Sequence, residues 1–189
     1  MTGHGPDESL RYELAAVLGA PDLLVRFARV SRDVRIVPLA VADLAMVPVT
    51  VELAEGITPA ALCGLDADTL PSGSVAALER RTALLTGPES GFAVLRPGLV
   101  ALIEAVSADG ALAYVEADYV AREGAQAAAL WRGGHLAVGP LLLGRREEFA
   151  AGTAPINVAL RALGVVALGR SDEFVVAGLG RHRRTADWP

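Results

Sequence analysis

Hydrophobic and polar positions divide the chain into short, distinct segments. Ser9 predicts the N-cap of a helix that places Leu10, Leu14, Val17 and Leu18 on one side and closes at Gly19. Pro21 and Asp22 open a second short helix with Leu23, Leu24, Phe27 and Val30 as its apolar stripe, so residues 9–31 are expected to form a helical hairpin. Two valine-rich, β-like runs follow at 34–41 and 44–53. Pro38 and Pro48 each remove a ladder donor and belong at an edge or a bulge. Residues 54–73, interrupted by glycine and proline, read as irregular. Ser74 predicts the cap of a helix reaching Leu85, ended by Gly87-Pro88, and residues 91–95 read as a short strand. A further helix starts at Pro97, carries Leu99, Leu102, Ile103 and Val106 on one stripe, and stops before Gly110.

The pattern is clearest over 111–143, where three strands (111–120, 125–132 and 135–143) form an antiparallel β-meander. Arg122-Glu123 with Gly124 supplies its first turn, and Gly133-Gly134 is a two-residue hairpin signal. Thr153 predicts the cap of a helix from Pro155 with Ile156, Ala159, Leu160 and Leu163 inward and Gly164 just past its end. Residues 165–168 read as an added strand, and 172–188 as mixed structure whose Trp188 docks. The fold class is therefore α+β, a mainly antiparallel sheet with flanking helices. Residues 1–8 are expected to form a disordered leader, and residues 9–189 one domain.

Composition narrows the function classes. The chain has 189 residues, 52% hydrophobic and 21% charged, with net charge −5, which argues against a general nucleic-acid binder. A single cysteine, Cys63, excludes an internal disulfide framework and a multi-cysteine zinc site. All 17 basic residues are arginine, and alanine with leucine makes about a third of the chain, which reads as coding bias rather than arginine-based recognition. No apolar run approaches the ~20 residues that span a bilayer, and the polar, acidic start lacks a signal-peptide pattern. The expectation is a soluble, cytoplasmic protein without membrane or nucleic-acid partners.

Two constellations are candidates for chemistry. Glu116 and Asp118 lie two apart in a strand and share a face, with Ala113, Val115, Ala117 and Tyr119 on the other, core-facing side. The expected register sets Asp118 opposite Ala127, Glu116 opposite Ala129 and Tyr114 opposite Trp131. Small alanines beside two carboxylates leave a shallow floor with Tyr114 and Trp131 at one end and Gln126 nearby. The plain alternative is a water-facing sheet surface. The second constellation is Gly178-Leu-Gly-Arg-His-Arg-Arg184, where Arg181, His182 and Arg183 can clamp a small anion; its plain alternative is a glycine turn before a solvated arginine run. His4, His135 and His182 are too sparse for a zinc site. No nucleophile elbow, P-loop or other catalytic motif occurs, and no metal or cofactor is expected.

From about Phe92 the chain resembles a group of small proteins of high-GC bacteria without an assigned activity. The shared residues are Tyr114-Val-Glu-Ala-Asp-Tyr119, Gly124-x-Gln126, Trp131, Gly139-Pro140, Pro155-Ile-Asn-x-Ala-Leu-Arg-x-Leu-Gly164, Asp172-Glu-Phe174, Gly178-Leu-Gly-Arg-His-Arg183 and Asp187-Trp188. The group is similar in size and style to stand-alone immunity-type binders, and the resemblance implies no activity. In that pattern a Phe-Gly-Gly turn follows the second tyrosine, where this sequence has Val120-Ala121-Arg122. The leading expectation is a non-catalytic, immunity-like binding or regulatory protein using the acidic face. The alternatives are a small enzyme with a Glu116/Asp118 site and the 181–183 clamp, and a homo-oligomeric subunit.

Overall fold

The computed structural model describes residues 11–58, 62, 75–120, 123–147, 149–169 and 171–189. The expectations for the leader, His4, the Ser9 and Ser74 caps, Cys63 and the turn residues Ala121 and Arg122 lie outside the described residues.

Six strands form one antiparallel sheet: β1 (Arg11–Gly19), β2 (Val37–Pro38), β3 (Ala45–Pro48), β4 (Leu112–Val120), β5 (Glu123–Arg132) and β6 (His135–Leu143). Their spatial order is β2-β3-β1-β4-β5-β6. The meander is present, and Gly133 and Gly134 take positive φ (61° and 78°) at its second turn, as a primed hairpin turn requires.

The predicted helical hairpin is overturned in its first half. Residues 11–19 form an inner strand, paired with β3 on one side and β4 on the other. Leu14 to Leu18 are all buried because helices cover both faces of the sheet. A strand buried on both sides needs no polar alternation, so its apolar run satisfies helical spacing equally well. The second half survives as α1 (Pro21–Leu24) and a 3-10 turn at Phe27–Arg29.

The valine-rich runs contain β2 and β3, with Pro38 on the edge strand and Pro48 at the end of β3. The second run was expected to remain β-like to residue 53; instead Thr50 caps helix α2 (Val51–Gly56), its hydroxyl accepting from the Leu53 N–H. Helices α3 (Val75–Thr86) and α4 (Pro97–Val106) follow. Helix α4 is buried almost all round, and Gly98 is what lets it meet the end of α2. A Cβ there would stand 1.8 Å from the Ile57 carbonyl oxygen. The strand expected at 91–95 is a loop crossing the sheet, and the one expected at 165–168 is also irregular, with Val166 and Leu168 exposed.

Helix α5 (Pro155–Ala162) starts at the predicted proline, and Gly164 has the positive φ (92°) of a helix-terminating glycine. Thr153 is not its cap; that position is Ala154, without a side-chain hydrogen bond. Helix α6 (Glu173–Ala177) is capped by Asp172, which accepts from the Val175 N–H. The sheet thus separates two cores. Helices α2, α3 and α4 cover Ala15, Val17, Tyr114, Ala129 and Trp131; α5, α6 and the C-terminal segment cover Leu14, Ala16, Val115, Ala117 and Leu130. No helix among the described residues is long and apolar enough to cross a membrane.

Candidate functional site

One face of β1, β4 and β5 carries the predicted acidic pair, arranged in rows across the strands. Val17, Tyr114 and Ala129 form one row, Ala15, Glu116 and Ala127 the next, and Glu13, Asp118 and Ala125 the third. The register differs from the expected one by two residues, since Val120 pairs with Glu123 and only Ala121 and Arg122 connect the strands. A two-residue shift keeps every side chain on its face, so the carboxylates still lie beside alanines. Tyr114 now faces Ala129, and Trp131 faces Leu112.

The helices roof the first row, and the loop before α4 closes over the second. Glu116 is 8% exposed, not water-facing as expected. Its Oε1 accepts from the Val94 N–H (2.9 Å), the Leu95 N–H (3.1 Å) and the Tyr114 hydroxyl (2.7 Å), and its Oε2 from the Ala93 N–H (2.6 Å). The carboxylate therefore gives the loop's amide donors the partners that water would otherwise supply. Burial, followed by the adjacent Glu116 charge, raises the Tyr114 hydroxyl well above its ordinary pKa, which keeps it a donor.

The third row lies beyond the roof. Asp118 accepts from Arg11 Nε (3.1 Å) and from Arg145 Nη2, and Arg11 also stands 3.7 Å from Glu13. The expectation of a free acidic surface is thus corrected at both positions: Glu116 is bound by backbone amides and Asp118 by two guanidiniums. What remains open is a cleft of about 240 Å³, floored by Ala125 and Ala127, walled by Gly91, Ala93 and Val94, and edged by Arg11, Glu13, Asp118 and Arg145. No group of three or more histidine, cysteine or acidic side chains among the described residues is placed to hold a metal ion.

Three predicted residues do not join the cleft with their side chains. Tyr114 and Trp131 are fully buried under α4 rather than standing at a rim. Gln126 pairs with Ala117 on the reverse face, where its Oε1 accepts from the Ile156 N–H. Alternation along β5 carries that signal already, since Gln126 and Ala127 must point oppositely.

The 181–183 clamp is not assembled. Arg181 donates to the Gly178 and Pro38 carbonyls and lies over the Trp188 ring. His182 packs on Trp188 with ring centroids 4.5 Å apart, and Trp188 belongs to the core opposite Glu116. Arg183 contributes its backbone, its carbonyl accepting from the Glu13 N–H. Arg181 and His182 therefore do not share a cleft with the carboxylates, whereas the enzyme reading requires one. Arg11, Glu13, Arg145 and the loop were missed because long-range contacts bring them in. No family model, curated protein or solved structure matches this chain.

Proposed function

We propose that the protein is a non-catalytic binding or regulatory protein whose binding element is the cleft over Ala125 and Ala127. The supporting observation is the commitment of its carboxylates: Glu116 is occupied by four donors, and Asp118 by two arginines. General acid–base catalysis needs its proton-transfer groups to converge on the substrate, and Arg181 and His182, expected to act with the carboxylates, do not reach this cleft. Asp118 with Arg11 and Arg145 forms a charged rim around small side chains, and Glu116 holds the loop beside it. The cleft lies just below the ~300–1,000 Å³ of pockets for drug-sized ligands, which favours a small metabolite. Capture of a basic protein by an exposed acidic face, the immunity-like form of the reading, loses support because that face is internally paired.

The test is Ala125→Phe, which fills the floor at a partly exposed position. In thermal-shift measurements with a metabolite panel, wild type is expected to be stabilised by a subset of compounds and the variant by none of that subset. Equal responses in both proteins overturn the cleft as the binding element. Turnover of any compound overturns the non-catalytic reading.

A further inference from the structure

We infer that the cleft takes a small zwitterion, an α-amino acid with a short apolar side chain, carboxylate toward Arg145 and ammonium toward Glu116 and Glu13. This rests on the reading of the cleft as a binding site and adds the chemistry of its ligand. The first observation is the unequal use of the buried carboxylate. Glu116 Oε1 accepts three internal hydrogen bonds, whereas Oε2 accepts one, from Ala93. Oε2, with a single donor among the described residues, is thus the less occupied oxygen of a side chain that lines the cleft and the one left to accept from a ligand.

The second observation lies at the mouth. The Arg145 side chain is 61% exposed and spends one of its guanidinium nitrogens on Asp118. Its remaining N–H groups suit the fork of a carboxylate. Among the described residues the half-exposed Glu13 carboxylate has only the long 3.7 Å pair with Arg11, and it stands diagonally across the strands from Glu116, leaving acceptor capacity for an ammonium.

Charge balance selects between ligand classes. The lining holds Glu13, Glu116 and Asp118 against Arg11 and Arg145, one more negative group than positive. A simple anion reaching the floor meets a buried carboxylate, and a simple cation at the mouth meets two guanidiniums. A molecule with a negative end outward and a positive end inward meets neither conflict. Ala93, Val94, Ala125 and Ala127 leave a small, mostly apolar space for its side chain.

Calorimetric titration of the intact protein with L-valine, 3-methylbutanoate (the same skeleton without the ammonium) and isobutylamine (without the carboxylate) tests this. L-Valine is expected to bind, with each half-molecule weaker by at least about tenfold. Arg145→Ala is expected to weaken L-valine by a similar factor and leave isobutylamine unchanged, while Glu13→Gln weakens L-valine and leaves 3-methylbutanoate unchanged. Both replaced side chains are exposed, and thermal unfolding without ligand verifies the fold. Equal affinity for L-valine and 3-methylbutanoate, undiminished L-valine binding by Arg145→Ala, or no L-valine binding at millimolar concentration overturns the zwitterion. If L-valine fails while another compound stabilises wild type but not Ala125→Phe, the cleft stands and only this ligand class falls. If Ala125→Phe changes the response to no compound, the cleft and the ligand fall together.

Discussion

Glu116 is a side chain whose chemistry is legible in isolation and whose role is not. As one of two carboxylates on one strand face it suggests a surface charge, and charge reversal is then expected to leave stability unchanged. Its four internal donors reverse that expectation. Glu116→Gln puts an amide NH₂ among donors and leaves buried N–H groups without acceptors; it is expected to cost on the order of 3 kcal/mol in urea unfolding. Tyr114→Phe removes one of the four bonds and is expected to cost about 1–2 kcal/mol. An unchanged urea midpoint for Glu116→Gln would show that the loop is held by other means. The tyrosines supply a pH test. Burial raises the pKa of Tyr12, Tyr114 and Tyr119, with the Glu116 charge adding to it at Tyr114. Unfolded tyrosine ionises near pH ~10, so above that pH the unfolded chain holds fewer protons and stability falls as pH rises. Tyrosinate absorbance is expected to appear with cooperative alkaline unfolding, not as an independent titration near pH 10.

At the scale of elements, β1 and α4 show how the same apolar content yields different structures. Both are almost wholly buried, and periodicity separates them poorly. Pro97 supplies a helix start for α4 that is readable locally, whereas β1 is decided by its partners on either side. The meander was legible because its diglycine turn pins a register by itself; the preceding turn carries no such glycine pair, and there the expected register slipped by two. The close crossing of α4 and α2 gives the prediction at this scale. Gly98→Ala forces a methyl group onto the Ile57 carbonyl, and the expected loss is about 3 kcal/mol or more by chemical denaturation. A loss near zero would mean that the two backbones separate freely.

Across the whole molecule, the C-terminal segment completes the sheet. β3 pairs with residues 16–19 of β1, leaving Glu13 and Ala15 to be met by the Arg183 carbonyl (2.7 Å) and the Thr185 hydroxyl (2.9 Å). Trp188 anchors this closure at 1% exposure, while the Trp188 carbonyl accepts from Arg35. Trp188→Ala is expected to cost about 3–5 kcal/mol and to speed amide exchange at Glu13 and Ala15 more than at β5. Uniform acceleration would show that the segment fills the core without guarding the edge. Helices α5 and α6 are joined by one hydrogen-bond network. Asn157 donates to Ala151 and Asp172 and accepts from Phe174, and Arg161 pairs with Glu173.

Local rules by themselves determined the meander, the starts of α4 and α5 and the burial of Trp188, because turns, prolines and alternation act within a few residues. They also placed Glu116 and Asp118 together on one face beside alanines. Only the tertiary structure decided that residues 11–19 are a central strand, that the loop at 91–95 roofs Glu116, and that Arg11 and Arg145 close on Asp118. The reason is that burial on both faces and hydrogen bonds between distant segments depend on which surfaces meet, and a linear pattern does not carry that information.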